Sequence, residues 1–66
     1  MNLIINGEEK VVENNISLLK IIQDLKIEDK VMAAAVNMNI VKKDDWVNFT
    51  PQDGDKLELL QFVGGG

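Results

Sequence analysis

The sequence predicts an α+β domain: one mixed sheet of four or five strands with a single main helix packed on one face. Three observations carry this. Asn6-Gly7 separates two short β-prone runs, apolar residues then switch to helical spacing from Ser17, and a leucine-rich run after Asp53-Gly54-Asp55 supplies a last strand. A hairpin and a final strand flanking one helix can bury their apolar faces together only by forming one sheet beneath that helix.

Each element has its own signal. Leu3, Ile4 and Ile5 form the first strand, stopped by Asn6-Gly7, the dipeptide that best tolerates the positive φ of a tight hairpin turn. Lys10 to Glu13 reads as the returning strand, and Asn14-Asn15 breaks it. Leu18, Ile21, Ile22 and Leu25 recur at helical spacing, with Lys20, Gln23 and Asp24 on the other side, so a helix is predicted from Leu18 to Lys26. Ser17 is its N-cap and Ile16 can staple onto Ile21. Val31 to Val36, with its run of alanines, is predicted as a buried strand lying close beneath another element. Asn37-Met38-Asn39 turns the chain into a short strand at Ile40-Val41. Lys42 to Trp46 reads as one irregular or helical turn, with Trp46 as a satellite core residue, and Lys56 to Val63 is the last strand. The predicted core is Leu3, Ile5, Leu18, Ile22, Leu25, Val36, Leu57 and Leu59. This order of elements is the β-grasp arrangement, with residues 1–63 as the domain and residues 64–66 as a flexible glycine tail.

Composition limits the chemistry. With 66 residues the chain is one domain, expected to bury roughly 60% of its unfolded surface and to leave no room for a deep active site. At 45% hydrophobic it is too apolar for disorder, and at 27% charged too polar for a membrane span. The absence of Cys and His excludes a disulfide framework, the usual zinc clusters and Cys/His or Ser-His-Asp catalysis. Ser17 and Thr50 are the only side-chain hydroxyls, so the chain is not expected to be an enzyme. Seven lysines, no arginine and eleven acids argue against nucleic acid as a partner. Met1 to Asn6 lacks a basic region and a long apolar run, so neither a signal peptide nor a membrane helix is expected, and the cytoplasm is the default location. Asp44-Asp45 and Asp53-Gly54-Asp55 offer too few oxygens for calcium and read as turns. Lys42-Lys43 reads as a solvated pair.

Two features remain for function. If Leu57 and Leu59 meet the helix, period-two alternation puts Glu58, Leu60 and Phe62 on the open face, where two large apolar residues beside an acid form a docking patch. Beyond them stand Gly64, Gly65 and Gly66. Such a stretch can simply fray. It can also act as a thread about 10 Å long, at roughly 3.5 Å per residue, that carries the α-carboxylate of Gly66 into another protein's active site.

These residues together resemble the ThiS family, the sulfur carriers of thiamine biosynthesis. The resemblance rests on Asn6-Gly7, the helix from Ser17, Ala34-Ala35-Val36-Asn37 followed by Ile40-Val41, the Trp46 region, Asp53-Gly54-Asp55 and the final strand ending in Gly65-Gly66. It covers essentially the whole chain and implies a ubiquitin-like β-grasp fold. The family's functional position falls on Gly66, preceded by Gly65, with Gly64 an extra glycine before the pair. The resemblance further implies no bound cofactor. It also implies a carrier cycle in which a ThiF-type adenylating enzyme uses MgATP to activate the Gly66 carboxylate, a sulfur donor enzyme converts it to a thiocarboxylate, and thiazole synthase accepts the sulfur. Two other readings stay open: the small subunit of molybdopterin synthase, whose members tend to be longer, and a ubiquitin-like protein modifier.

Overall fold

The structure, a computed structural model, describes residues 1–62. Strands β1 (Asn2–Ile5) and β2 (Glu8–Val11) form a hairpin in which Ile5 faces Glu8 across a two-residue turn. Asn6 and Gly7 both take positive φ, 51° and 83°, as a turn matching the strand twist requires. The returning strand therefore starts at Glu8, two residues before the expected Lys10. Pairing does reach past Val11, since the Val12 amide donates to the Met1 carbonyl at 2.8 Å.

Helix α1 runs over Leu18–Asp24, with the Ser17 hydroxyl accepting from the Lys20 amide at 3.1 Å. It buries Leu18, Ile21 and Ile22. The apolar period continues to Leu25, but the helix stops earlier than expected because Lys26 adopts φ 60°. The Lys26 amide then bonds to the Gln23 carbonyl and the Ile27 amide to the Ile22 carbonyl, the paired bonds of a Schellman ending. Leu25 is consequently only half-buried at the core's edge, a correction to its expected place inside it.

A 3₁₀ turn over Glu28–Lys30 leads into β3 (Val31–Val36), which returns through Asn37 and Met38, both at positive φ, into β4 (Asn39–Val41). A second 3₁₀ segment, Lys43–Asn48, places Trp46 in the core, and β5 (Lys56–Gln61) completes the sheet in the order β2-β1-β5-β3-β4. β5 is central: it runs parallel to β1 and antiparallel to β3, which makes the sheet mixed as expected. The strand ends at Gln61, one residue before Phe62, which the expected strand includes; the last expected residue, Val63, lies outside the described residues.

Among the described residues twelve form the buried core, including seven of the eight expected ones. Trp46 is among the largest side chains buried outright, and its indole Nε1–H donates to the Val41 carbonyl at 2.9 Å. It is a principal core residue, not the satellite its charged surroundings suggested, because that bond satisfies the indole's one polar group and lets the whole ring be buried. Among the described residues no buried side-chain nitrogen or oxygen lacks a partner, and no helix is long and apolar enough to cross a membrane.

Candidate docking face and the exit of the last strand

The register of β5 decides which of its side chains meet the helix. Leu57 and Leu59 are buried, while Glu58, Leu60 and Phe62 are exposed. Directly paired residues share a face of the sheet, so the pairs Glu58 with Ala35, Leu60 with Ala33, and Ala35 with Ile40 place all five on the side away from α1. Leu60 is 61% exposed and Ile40 70%, with Ala33 and Ala35 between them, which makes this face apolar over three strands. Of the three predicted docking residues, Glu58 and Leu60 share this face, and Phe62, also 61% exposed, follows β5 where the chain leaves the sheet.

The small side chains of Ala33 and Ala35 leave a shallow trough of about 260 Å³, walled by Leu60 and Ile40 and edged by Glu58 and Asn6. This corrects the expectation that the alanine run lies beneath another element. Only Ala34 is buried, at 1% exposure, whereas Ala33 and Ala35 look outward. A bulge between Val31 and Ala33 explains the uneven pattern. Met32 is the extra residue, so Val31 and Ala34, three apart, both face the core and Met32 stands exposed. Period-two reasoning from Leu60 would have found Ala33 and Ala35 only with the register known, and Ile40 belongs to the patch through the same pairing.

The acidic turns do structural work. Asp53 accepts from the Asn2 amide at 2.6 Å, and Asp55 accepts from the Gln52 amide at 2.8 Å and from the Asn37 side chain at 2.9 Å. Their carboxylates tie the turn before β5 to both neighbouring strands. Among the described residues no cluster of three acids is arranged to hold a metal ion. Lys43 lies over the Trp46 ring at 5.9 Å, an exposed ammonium above an aromatic face rather than part of the trough.

At the other end of β5, the Phe62 amide donates to the Lys30 carbonyl at 2.6 Å, so the chain is held to the β3 side up to the last described residue. Gly64, Gly65 and Gly66, the expected sulfur-carrying tail, lie outside the described residues.

With that geometry, comparison with known proteins is decisive. The sequence profile of the ThiS family matches residues 3–66, nearly the whole chain and including all three terminal glycines. The chain belongs to the ThiS family. The sulfur carrier protein ThiS of Escherichia coli is 26% identical over 66 residues, with the full length of both chains covered. A thiazole synthase of Paramagnetospirillum magneticum is 35% identical over the same 66 residues, and there the chain spans only 20% of the relative's length. The crystal structure of the thiamine biosynthesis protein ThiS from Geobacter metallireducens superposes with a TM-score of 0.82 at 28% identity over the full length of both chains. The β-grasp fold of a ThiS-family sulfur carrier is thereby established. Carriers of this family are themselves non-catalytic.

Proposed function

We propose that this ThiS-family sulfur carrier of thiamine biosynthesis works through the α-carboxylate of Gly66. A carboxylate resists substitution because an oxide is a poor leaving group. Attack of a carboxylate oxygen on the α-phosphorus of MgATP, in a ThiF-type adenylating enzyme, expels pyrophosphate and leaves a glycyl adenylate. AMP is then a good leaving group, and hydrosulfide, supplied through a sulfur donor enzyme, adds to the carbonyl and displaces AMP, giving a thiocarboxylate and releasing a proton. Thiazole synthase is the acceptor of that sulfur. MgATP belongs to the partner enzyme, and the same reading assigns the carrier to the cytoplasm.

The observation that carries this reading is the family match running through Gly66, on a chain whose central strand ends beside an exposed apolar face. Leu60, Phe62 and Glu58 are the docking residues in this proposal: any enzyme that draws Gly66 into its active site covers the surface from which the tail departs. Glycines suit the passage because a chain without Cβ atoms fits a narrow channel.

The test is intact mass. The chain is incubated with a ThiF-type adenylating enzyme, MgATP and a sulfide source, and the expected product is heavier by the difference between one sulfur and one oxygen, with the change localised to Gly66 by fragmentation. An unchanged mass, with an enzyme that charges its own carrier under the same conditions, would rule the reading out.

A further inference from the structure

The two neighbours of β5 are of unequal reach. β1 pairs with it only through Ile4 with Lys56 and Ile5 with Leu57, and the chain then turns away into β2. On that side the second half of β5 has no strand beside it among the described residues. The gap is bridged by one side chain. The Leu59 amide donates to Asn6 Oδ1 at 2.8 Å, and Asn6 Nδ2 donates to the Leu59 carbonyl at 3.3 Å. The Asn6 backbone amide donates to the Leu57 carbonyl at 2.9 Å. One residue therefore grips β5 at two alternate positions, Leu57 and Leu59, its carboxamide giving Leu59 the donor and acceptor that another strand residue would have offered.

The backbone conformation makes this possible. Asn6 sits at φ 51°, where β1 leaves the sheet, and asparagine is one of the few residues with a Cβ that tolerates this region. A second asparagine repeats the device at the opposite end of β5. Asn37, at φ 50°, accepts from the Lys56 amide through Oδ1 at 3.0 Å and donates its own amide to the Lys56 carbonyl at 2.8 Å. The central strand is thus clamped at its start by Asn37, from the β3 side, and in its later half by Asn6, from the β1 side.

We infer that Asn6 is a positioning residue for sulfur loading: its carboxamide grip on Leu59 fixes the direction in which β5 delivers the chain to Gly66. This rests on the reading of Gly66 as the residue that is charged. The Lys30 carbonyl holds Phe62 on the β3 side only, so without Asn6 the strand from Leu59 onward is anchored along one edge. A strand held on one edge opens more readily, and opening spreads the positions available to whatever follows it. The carboxylate then spends less time within reach of ATP, while Leu60, Phe62 and Glu58, the residues assigned to docking, keep their side chains and Asn6 contributes only to the rim of the trough. The effect belongs on kcat and not on KM.

Asn6→Gly separates the two roles of the residue, because glycine keeps the positive φ of the turn and removes only the side chain. Amide hydrogen exchange and steady-state adenylate formation are measured on the full chain with a ThiF-type enzyme, alongside the unaltered protein. The expected result is exchange at Leu59 faster by roughly fivefold or more, the factor belonging to one hydrogen bond, with exchange at Leu3 and Ile22 unchanged, and a fall in kcat of severalfold at constant KM. Asn6→Asp retains the acceptor for the Leu59 amide and loses the donor, so it should lie between the two. If Asn6→Gly does not fold, the Asp variant carries the test through the same kcat comparison. Unchanged exchange at Leu59, an unchanged kcat, or a rise in KM alone would each overturn the inference. Failure of the unaltered chain to be charged would instead remove the functional reading beneath it, an outcome distinct from any of these.

Discussion

At the scale of single residues, Leu59 joins both faces of the argument. Its side chain is buried at 6% exposure under α1, and its backbone is held by Asn6. Leu59→Ala should cost about 2–5 kcal/mol, the usual range for a buried leucine, in a domain whose whole stability is expected to be on the order of 5 kcal/mol. Denaturant unfolding at constant m-value checks this, and a loss below about 0.5 kcal/mol, the size of an ordinary surface effect, would mean that the strand faces are reversed. Leu57 and Leu59 were legible because alternation leaves only two ways to face a strand. Trp46 was not: its burial depends on a bond to the Val41 carbonyl and on Lys43–Asn48 coiling tightly, and nothing in a charged run announces either. Asn6 read only as a turn residue, since a side chain's grip on a strand more than fifty positions away leaves no local pattern.

At the scale of elements, all five strands and the helix were readable, and the errors lay at their ends. The helix ends two residues before Lys26, where its sequence pattern runs to, because Lys26 takes a conformation usually marked by glycine. The returning strand begins two residues before Lys10 because the tight turn leaves no loop. Neither error reaches β5, whose outward residues carry the docking argument. Phe62 is 61% exposed and lies at the exit of the strand, so Phe62→Ala should weaken binding to the adenylating enzyme or thiazole synthase by about tenfold, the scale of one interface anchor above 1 kcal/mol. The melting temperature should move little. Val47→Ala is the matched control, since Val47 is also exposed but stands on the 3₁₀ segment packed beside α1. Titration calorimetry on both variants checks the pair, and equal losses at the two positions would show that the sheet face has no special part in docking.

At the scale of the whole molecule, the proposed carrier divides into a body that folds and a tail that reacts, and the two should fail independently. Among the described residues every core residue lies between Leu3 and Leu59, so removal of Gly65 and Gly66 leaves that core whole. The unfolding transition should be unchanged. Reach, by contrast, should change sharply. Each residue spans roughly 3.5 Å when extended, and a near-attack geometry tolerates far less displacement than that. Deleting Gly66 alone leaves Gly64-Gly65 at the end, a shorter tail of the same chemical character, and partial loading should survive. Deleting Gly65 and Gly66 together leaves one glycine after Val63, and thiocarboxylate formation should stop. Appending a tryptophan after Gly66 tests the channel instead of the length: the carboxylate remains, one residue farther out, but a bulky side chain now precedes it. That variant should dock with unaltered affinity and fail to be adenylated. Intact mass for loading, calorimetry for docking and denaturant unfolding for the body read the three quantities separately. Normal loading of either the doubly shortened or the extended chain would exclude Gly66 as the sulfur-carrying residue, whereas loss of docking in the extended chain would move the tail from the channel to the docking surface itself.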